Sequence, residues 1–137
     1  MSKKNHLQKK CLFKAFGLTI ESEIPFTEAS NVVDEKVYDV SVTIGALPST
    51  WLSDPRANDG YVEVEGEQIW FVWSELGIMR ISAGRSIVLD PVSGAQKSLI
   101  NQAIQSAGIG LILHQRNVLT LHASAVEIDN GVVAFVG

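Results

Sequence analysis

Between Leu12 and Leu89 the chain is a series of short apolar runs with polar residues between them and turn residues at their ends. The first run, Leu12-Phe13-Lys14-Ala15-Phe16-Gly17-Leu18-Thr19-Ile20, is rich in aromatic and branched residues and stops at Ile24-Pro25, which predicts one strand. Val37 to Ile44 alternates more regularly. It puts Tyr38, Val40, Val42 and Ile44 on one face of a half-buried strand. Pro48, Pro55 and Asp59-Gly60 then mark a loop ending in a turn. Four more short runs follow, Tyr61–Glu65, Gln68–Trp73, Gly77–Ile81 and Ser86–Leu89, with Gly66 and Ala83-Gly84 as breaks. Strands of this length and spacing predict an antiparallel meander or a small sandwich.

From Gly94 to Gln115 the period changes. Leu99, Ile100, Ala103, Ile104, Ala107, Leu111 and His114 recur at spacings of three and four, which predicts one amphipathic helix with Ser93 as its N-cap. Gly108 and Gly110 weaken such a helix by up to ~1 kcal/mol each relative to alanine, so they imply close packing or a break. The last twenty residues read as a hairpin. Leu119 to Ile128 is the first arm, Asn130-Gly131 the tight turn, and Val132 to Val136 a continuous apolar arm of the kind buried on both faces of a sheet.

These elements give an α+β class: a mainly antiparallel β-domain over 11–90, a connecting helix over 93–116 and a hairpin over 118–137, behind a basic tail over 1–10. The aromatic group Trp70, Phe71 and Trp73 is read as core rather than a stacking platform, because neighbours on a strand face opposite ways. The lone Cys11 has no second cysteine to pair with and reads as a small apolar group.

Charge narrows the possible partners. Five of the eleven cations, Lys3, Lys4, Lys9, Lys10 and Lys14, precede every acid, leaving six cations against fifteen acids in the body, a net of −9. An acidic body lacks the basic face that nucleic acid requires, and the lysine tail reads as a solvated end. No run is long and apolar enough for a membrane span, and the Cys11–Ile20 stretch, broken by Lys14 and Gly17, is no signal peptide. The expectation is a cytoplasmic protein without a membrane or nucleic-acid partner.

Candidate chemistry lies in the closing segment, L-H-A-S-A-V-E-I-D-N-G-V-V-A-F-V-G, in which an apolar strand runs into a glycine. A phosphate-binding loop begins in this way, since its glycines let backbone N–H groups wrap the phosphates. The segment resembles the one that precedes the Walker A loop in HPr kinase/phosphorylase-related proteins. Leu113-His114-Gln115-Arg116 and the opening F-K-A-F-G-L-T-I-E-S-E also resemble the small HPr-kinase-like proteins of lasso-peptide gene clusters.

That resemblance implies a P-loop kinase core of the phosphoenolpyruvate carboxykinase-like type, of which the hairpin is the leading edge, and an ATP- and magnesium-dependent parent that phosphorylates serine in a peptide or protein. His122 would sit near the catalytic acid, Gly137 would be the first glycine of the nucleotide-binding loop, and no metal ligand is assigned. The N-terminal portion does not resemble the regulatory domain of the HPr kinases proper, which argues against HPr as substrate. The loop lysine and the magnesium-binding Ser/Thr are not among these residues, so the polypeptide is expected to be inactive by itself. A second reading is a non-catalytic peptide- or protein-binding module. On either reading the apolar C-terminal strand is expected to seek a neighbour, with self-association one outcome.

Overall fold

The computed structural model describes residues 10–26, 30–31 and 37–137. Its strands are β1 (Cys11–Ala15), β2 (Leu18–Ser22), β3 (Ser30–Asn31), β4 (Val40–Ile44), β5 (Tyr61–Glu65), β6 (Gln68–Trp73), β7 (Gly77–Ser82), β8 (Ser86–Pro91), β9 (Ala123–Ile128) and β10 (Gly131–Val136). Helical residues run from α1 (Lys97–Ala103) through a π-helical stretch (Ile104–Gly108) into α2 (Ile109–Gln115). The chain is α+β and mostly β. Eight strands form one sheet in the order β3-β1-β2-β4-β8-β7-β6-β5, and β9 and β10 form a separate hairpin.

The meander expected from Tyr61 onward is present as β5 to β8, paired antiparallel in sequence order. Two other pairings are parallel, β2 with β4 and β4 with β8, so the sheet is mixed. A parallel pair is joined by a crossover, and neither partner's sequence marks it.

Several expectations need correction. The run from Leu12 to Ile20 is not one strand but the hairpin β1–β2, turning at Phe16-Gly17 with φ of 56° and 73°. Gly17 adopts that conformation readily, and Phe16 is carried along by it although nothing in its own side chain favours a positive φ. The strand expected from Val37 begins only at Val40, because Asp39 ends the approach. Its carboxylate accepts from the Thr19 amide at 2.8 Å and its own amide donates to the Thr19 carbonyl at 2.8 Å. Val40 and Val42 are buried as expected, whereas Ile44 at the strand's end is 42% exposed.

The helix starts four residues after Ser93. Ser93-Gly94 forms a turn with Gly94 at φ +82°, and Gln96 occupies the N-cap without a side-chain bond. Both implications of the glycines hold at Gly108. A Cβ there would meet Ile87 Cδ1 at 3.1 Å and Met79 Sδ at 3.2 Å, and the helix widens to a π-turn at the same place.

The helix packs on one face of the sheet. Phe13, Ile20, Val40, Val42, Ile69, Met79, Ile81, Ile87 and Leu89 meet Ala103, Ile104, Ile109 and Ile112 in the main core. At its far end Gln115 fastens the helix to two strand connections, accepting from the Gly84 amide at 2.8 Å and donating to the Glu67 carbonyl at 2.9 Å. The opposite sheet face is covered near β5 and β6 by two 3-10 segments, Ser49–Ser53 and Pro55–Asn58, over a smaller cluster of Ala57, Trp70, Val72 and Ile78. Trp70 thus lies on one face while Phe71 and Trp73 pack on the other, as alternation requires. Cys11 is half-buried. The basic tail, apart from Lys10, lies outside the described residues. Lys10 itself pairs with Glu21 at 2.9 Å.

The cover over Trp70 is held by Asp54. Its carboxylate caps Pro55–Asn58 by accepting from the Arg56 amide at 2.9 Å and grips the Arg56 guanidinium at 2.7 Å, which also reaches Glu63 at 3.3 Å. These bonds to Arg56 hold the Asp54 carboxyl below the usual carboxylate range. A depressed folded-state pKa contributes stability above the unfolded value and loses it as pH falls through the folded one. Asp54→Ala should therefore lower the urea midpoint modestly at neutral pH, and the gap from the parent protein should close in acid. A gap that persists unchanged at pH 2 would assign the effect to packing instead.

Candidate functional site

The closing hairpin positions both candidate site residues. Its turn is Asp129-Asn130, with φ of 46° and 63°, one residue earlier than the Asn130-Gly131 turn expected, and Gly131 opens the second strand opposite Ile128. Aspartate and asparagine both tolerate the left-handed region, so the primed turn closes without placing glycine in it. The first arm starts at Ala123 rather than Leu119, so the expected strand histidine lies just outside the ladder.

Register decides what meets at the open end. Ala123 pairs with Val136, so His122, which precedes the one, and Gly137, which follows the other, stand at the same end of the same strand pair. Two residues fifteen positions apart in sequence are thereby brought together by an antiparallel register.

His122 is exposed and lines a groove of about 510 Å³ between the helix and the β1–β2 turn, with Phe16, Ser106, Ile109, Gly110 and Leu121. Around Gly110 the groove is empty, with nothing within 4 Å of where a Cβ would be. No carboxylate lines this groove, so the acid that the resemblance pairs with His122 is not supplied here by the described residues. Gly137 is exposed at the end of β10. His114 lies exposed in the last turn of α2, where a cation would favourably meet the helix carbonyls. Among the described residues no group of three or more His, Cys, Asp or Glu side chains could hold a metal ion, and no helix is long and apolar enough to cross a membrane.

The hairpin differs from expectation in one large respect. Its second arm was expected to be buried on both faces, and every residue of both strands is exposed. Val133, Phe135, Val126 and Ile128 share one face with Ser124, and Val132, Val136 and alanines 123, 125 and 134 share the other with Glu127. Val132 is 71% exposed and Phe135 62%. A two-stranded ribbon apolar on both sides but for Glu127 and Ser124 has no stable place in water without cover.

Sequence reasoning missed Arg80, on β7. Its Nε is buried without a hydrogen-bond partner, as is Nε1 of Trp70 directly opposite it on β6. The only signal in the sequence was a cation inside an apolar strand.

Comparison with family models, with curated proteins and with solved structures finds no match to this chain.

Proposed function

We infer that this chain is the substrate-side β-domain and leading hairpin of an ATP- and magnesium-dependent kinase related to the HPr kinases, acting on serine in a peptide or protein. The observation that carries the reading is the hairpin: an apolar strand pair exposed on both faces, with His122 and Gly137 at its open end. An interior strand of a P-loop sheet has this composition, and a glycine at its end is where the phosphate-wrapping loop starts. Opposite that end a histidine can orient a carboxylate base or stabilise its charge as the substrate hydroxyl loses its proton. ATP and magnesium would bind through loop residues that follow Gly137 in the parent. The test is the coding sequence after the Gly137 codon. An open frame with a glycine-rich loop carrying Lys and Ser/Thr supports the kinase, and magnesium-dependent transfer of labelled phosphate by the extended protein would follow. A stop codon there favours the rival reading, a binding module, for which the same apolar hairpin is the contact surface.

The exposed hairpin also fixes how residues 1–137 behave alone. Uncharged, proline-free strand edges add to one another, so the 137-residue chain should self-associate at ~100 μM by pairing or exchanging β10. A version ending at Asp129 should be more monomeric. Light scattering that finds the 137-residue chain strictly monomeric would refute this.

A further inference from the structure

The sheet face opposite the helix is open and polar beyond the cover over Trp70. Successive registers build one row across four strands from Gln68, Ser82, Ser86 and Ser41, each directly beside the next. The adjacent row runs Trp70, Arg80, Val88 and Thr43. Neighbouring strands lie about 4.8 Å apart, so the Ser82, Ser86 and Thr43 hydroxyls flank the Arg80 position within one or two strand spacings. All of these side chains except the buried Trp70 are partly exposed.

Arg80 is the unusual member of this surface. Of the acids on the same face, Glu21 pairs with Lys10 at 2.9 Å, Glu63 with Arg56 at 3.3 Å, and Asp90 accepts from the Leu47 amide at 2.8 Å, while Glu65 stands beside Gln68 on β5, two strands away from Arg80. Among the described residues the Arg80 side chain has no ion pair or hydrogen-bond partner, and its Nε is buried without an acceptor. Its guanidinium lies 5.8 Å from the Trp70 ring centroid, which favours the charge but satisfies no N–H. Trp70 is 5% exposed and its Nε1 is orphaned as well, so two neighbouring buried donors lack acceptors. Native structures rarely leave such groups unmatched, and an orphan of this kind needs an explanation, among which are ordered water, an ion and a ligand group.

We propose that Arg80, with the Ser82, Ser86 and Thr43 hydroxyls, forms a binding site for a small oxyanion, a carboxylate or phosphate group, on the sheet face away from the His122 groove. Guanidinium is the side chain best matched to such groups, through paired N–H donors, and serine and threonine hydroxyls supply the remaining ones. The site is independent of the kinase reading, since it uses neither the hairpin nor nucleotide.

Nuclear magnetic resonance of the 15N-labelled chain tests it, with inorganic phosphate and acetate as probes in separate titrations. A saturable shift of the Arg80 Nε–H signal and of the Ser82 and Ser86 amides, with Kd on the order of millimolar, is expected for at least one probe. Phosphate alone would identify a tetrahedral group, acetate alone a planar one. Arg80→Gln should weaken that binding at least ~10-fold, the scale of a charge-assisted bond. Should Arg80→Gln fail to fold, the Ser82→Ala/Ser86→Ala variant decides, with weakened binding expected. Absence of saturation with both probes, or binding that survives unchanged in these variants, overturns the proposal.

Discussion

Replacing Gly77 with alanine is expected to cost the domain at least ~3 kcal/mol, enough to unfold much of the population of a protein of ordinary stability. Gly77 opens β7 at φ +120°, a conformation that L side chains rarely adopt. Space is the harder constraint. A Cβ at this position would stand 2.1 Å from the Asp90 carbonyl oxygen and 2.9 Å from both Pro91 Cα and the Val92 nitrogen. All three are backbone atoms of the neighbouring strand and its exit, so no side chain can rotate away. Nor can that strand retreat easily, since the Val92 amide donates to the Leu76 carbonyl at 3.0 Å and Asp90 is fastened to the loop after β4. Leu76, next to the glycine, is fully buried, and a shift there would open the main core. Gly110→Ala is the control: nothing surrounds that position, and the helix gains up to ~1 kcal/mol in propensity. Urea unfolding checks both, and a Gly77→Ala midpoint within error of the parent protein would show that the strand exit yields more readily than its bonds imply.

The second large effect is on turnover. On the proposed kinase reading, His122→Ala in a version that extends through a phosphate-binding loop should reduce kcat roughly ten- to a thousandfold, about 1.4 to 4 kcal/mol of transition-state stabilisation. The fold should be indifferent, because His122 is exposed outside the ladder and makes no hydrogen bond among the described residues. Stability within ~0.5 kcal/mol of the parent protein is the expected accompaniment. A role in substrate binding alone would appear as raised KM at constant kcat, and unchanged kinetics would return His122 to structure.

The local part of this fold was legible and the non-local part was not. The meander from Tyr61 to Pro91 could be read because each strand pairs with its sequence neighbour and two of its three turns carry Gly66 or Ala83-Gly84. The turn at Phe16-Gly17 was hidden by an aromatic residue in a position that sequence rules reserve for glycine, asparagine or aspartate. Asp129-Asn130 was shifted by one for the opposite reason, since the more favourable dipeptide lay next to it and register chose otherwise. The insertion of β4 between β2 and β8 left no trace in periodicity, because parallel and antiparallel strands with one buried face alternate alike. Of the site residues, His122 and Gly137 were legible only through resemblance, and their meeting at one end of the hairpin is a property of register. Arg80 escaped notice because an unpaired donor is defined by what surrounds it in space.

The place of β4 sets an order of events during synthesis. Ser41 pairs with Ser86, so the strand that joins the two halves of the sheet emerges from the ribosome well before the partner it lies against. The β1–β2 hairpin and β4 must wait, with Val40 and Val42 uncovered, while the loop and three strands of the meander are translated. At ~5–20 residues per second that interval lasts a few seconds, ample time for β5 to β8 to pair locally and present β8 as a finished edge. The newborn chain is therefore expected to assemble backwards, its later half serving as the template on which the earlier half settles.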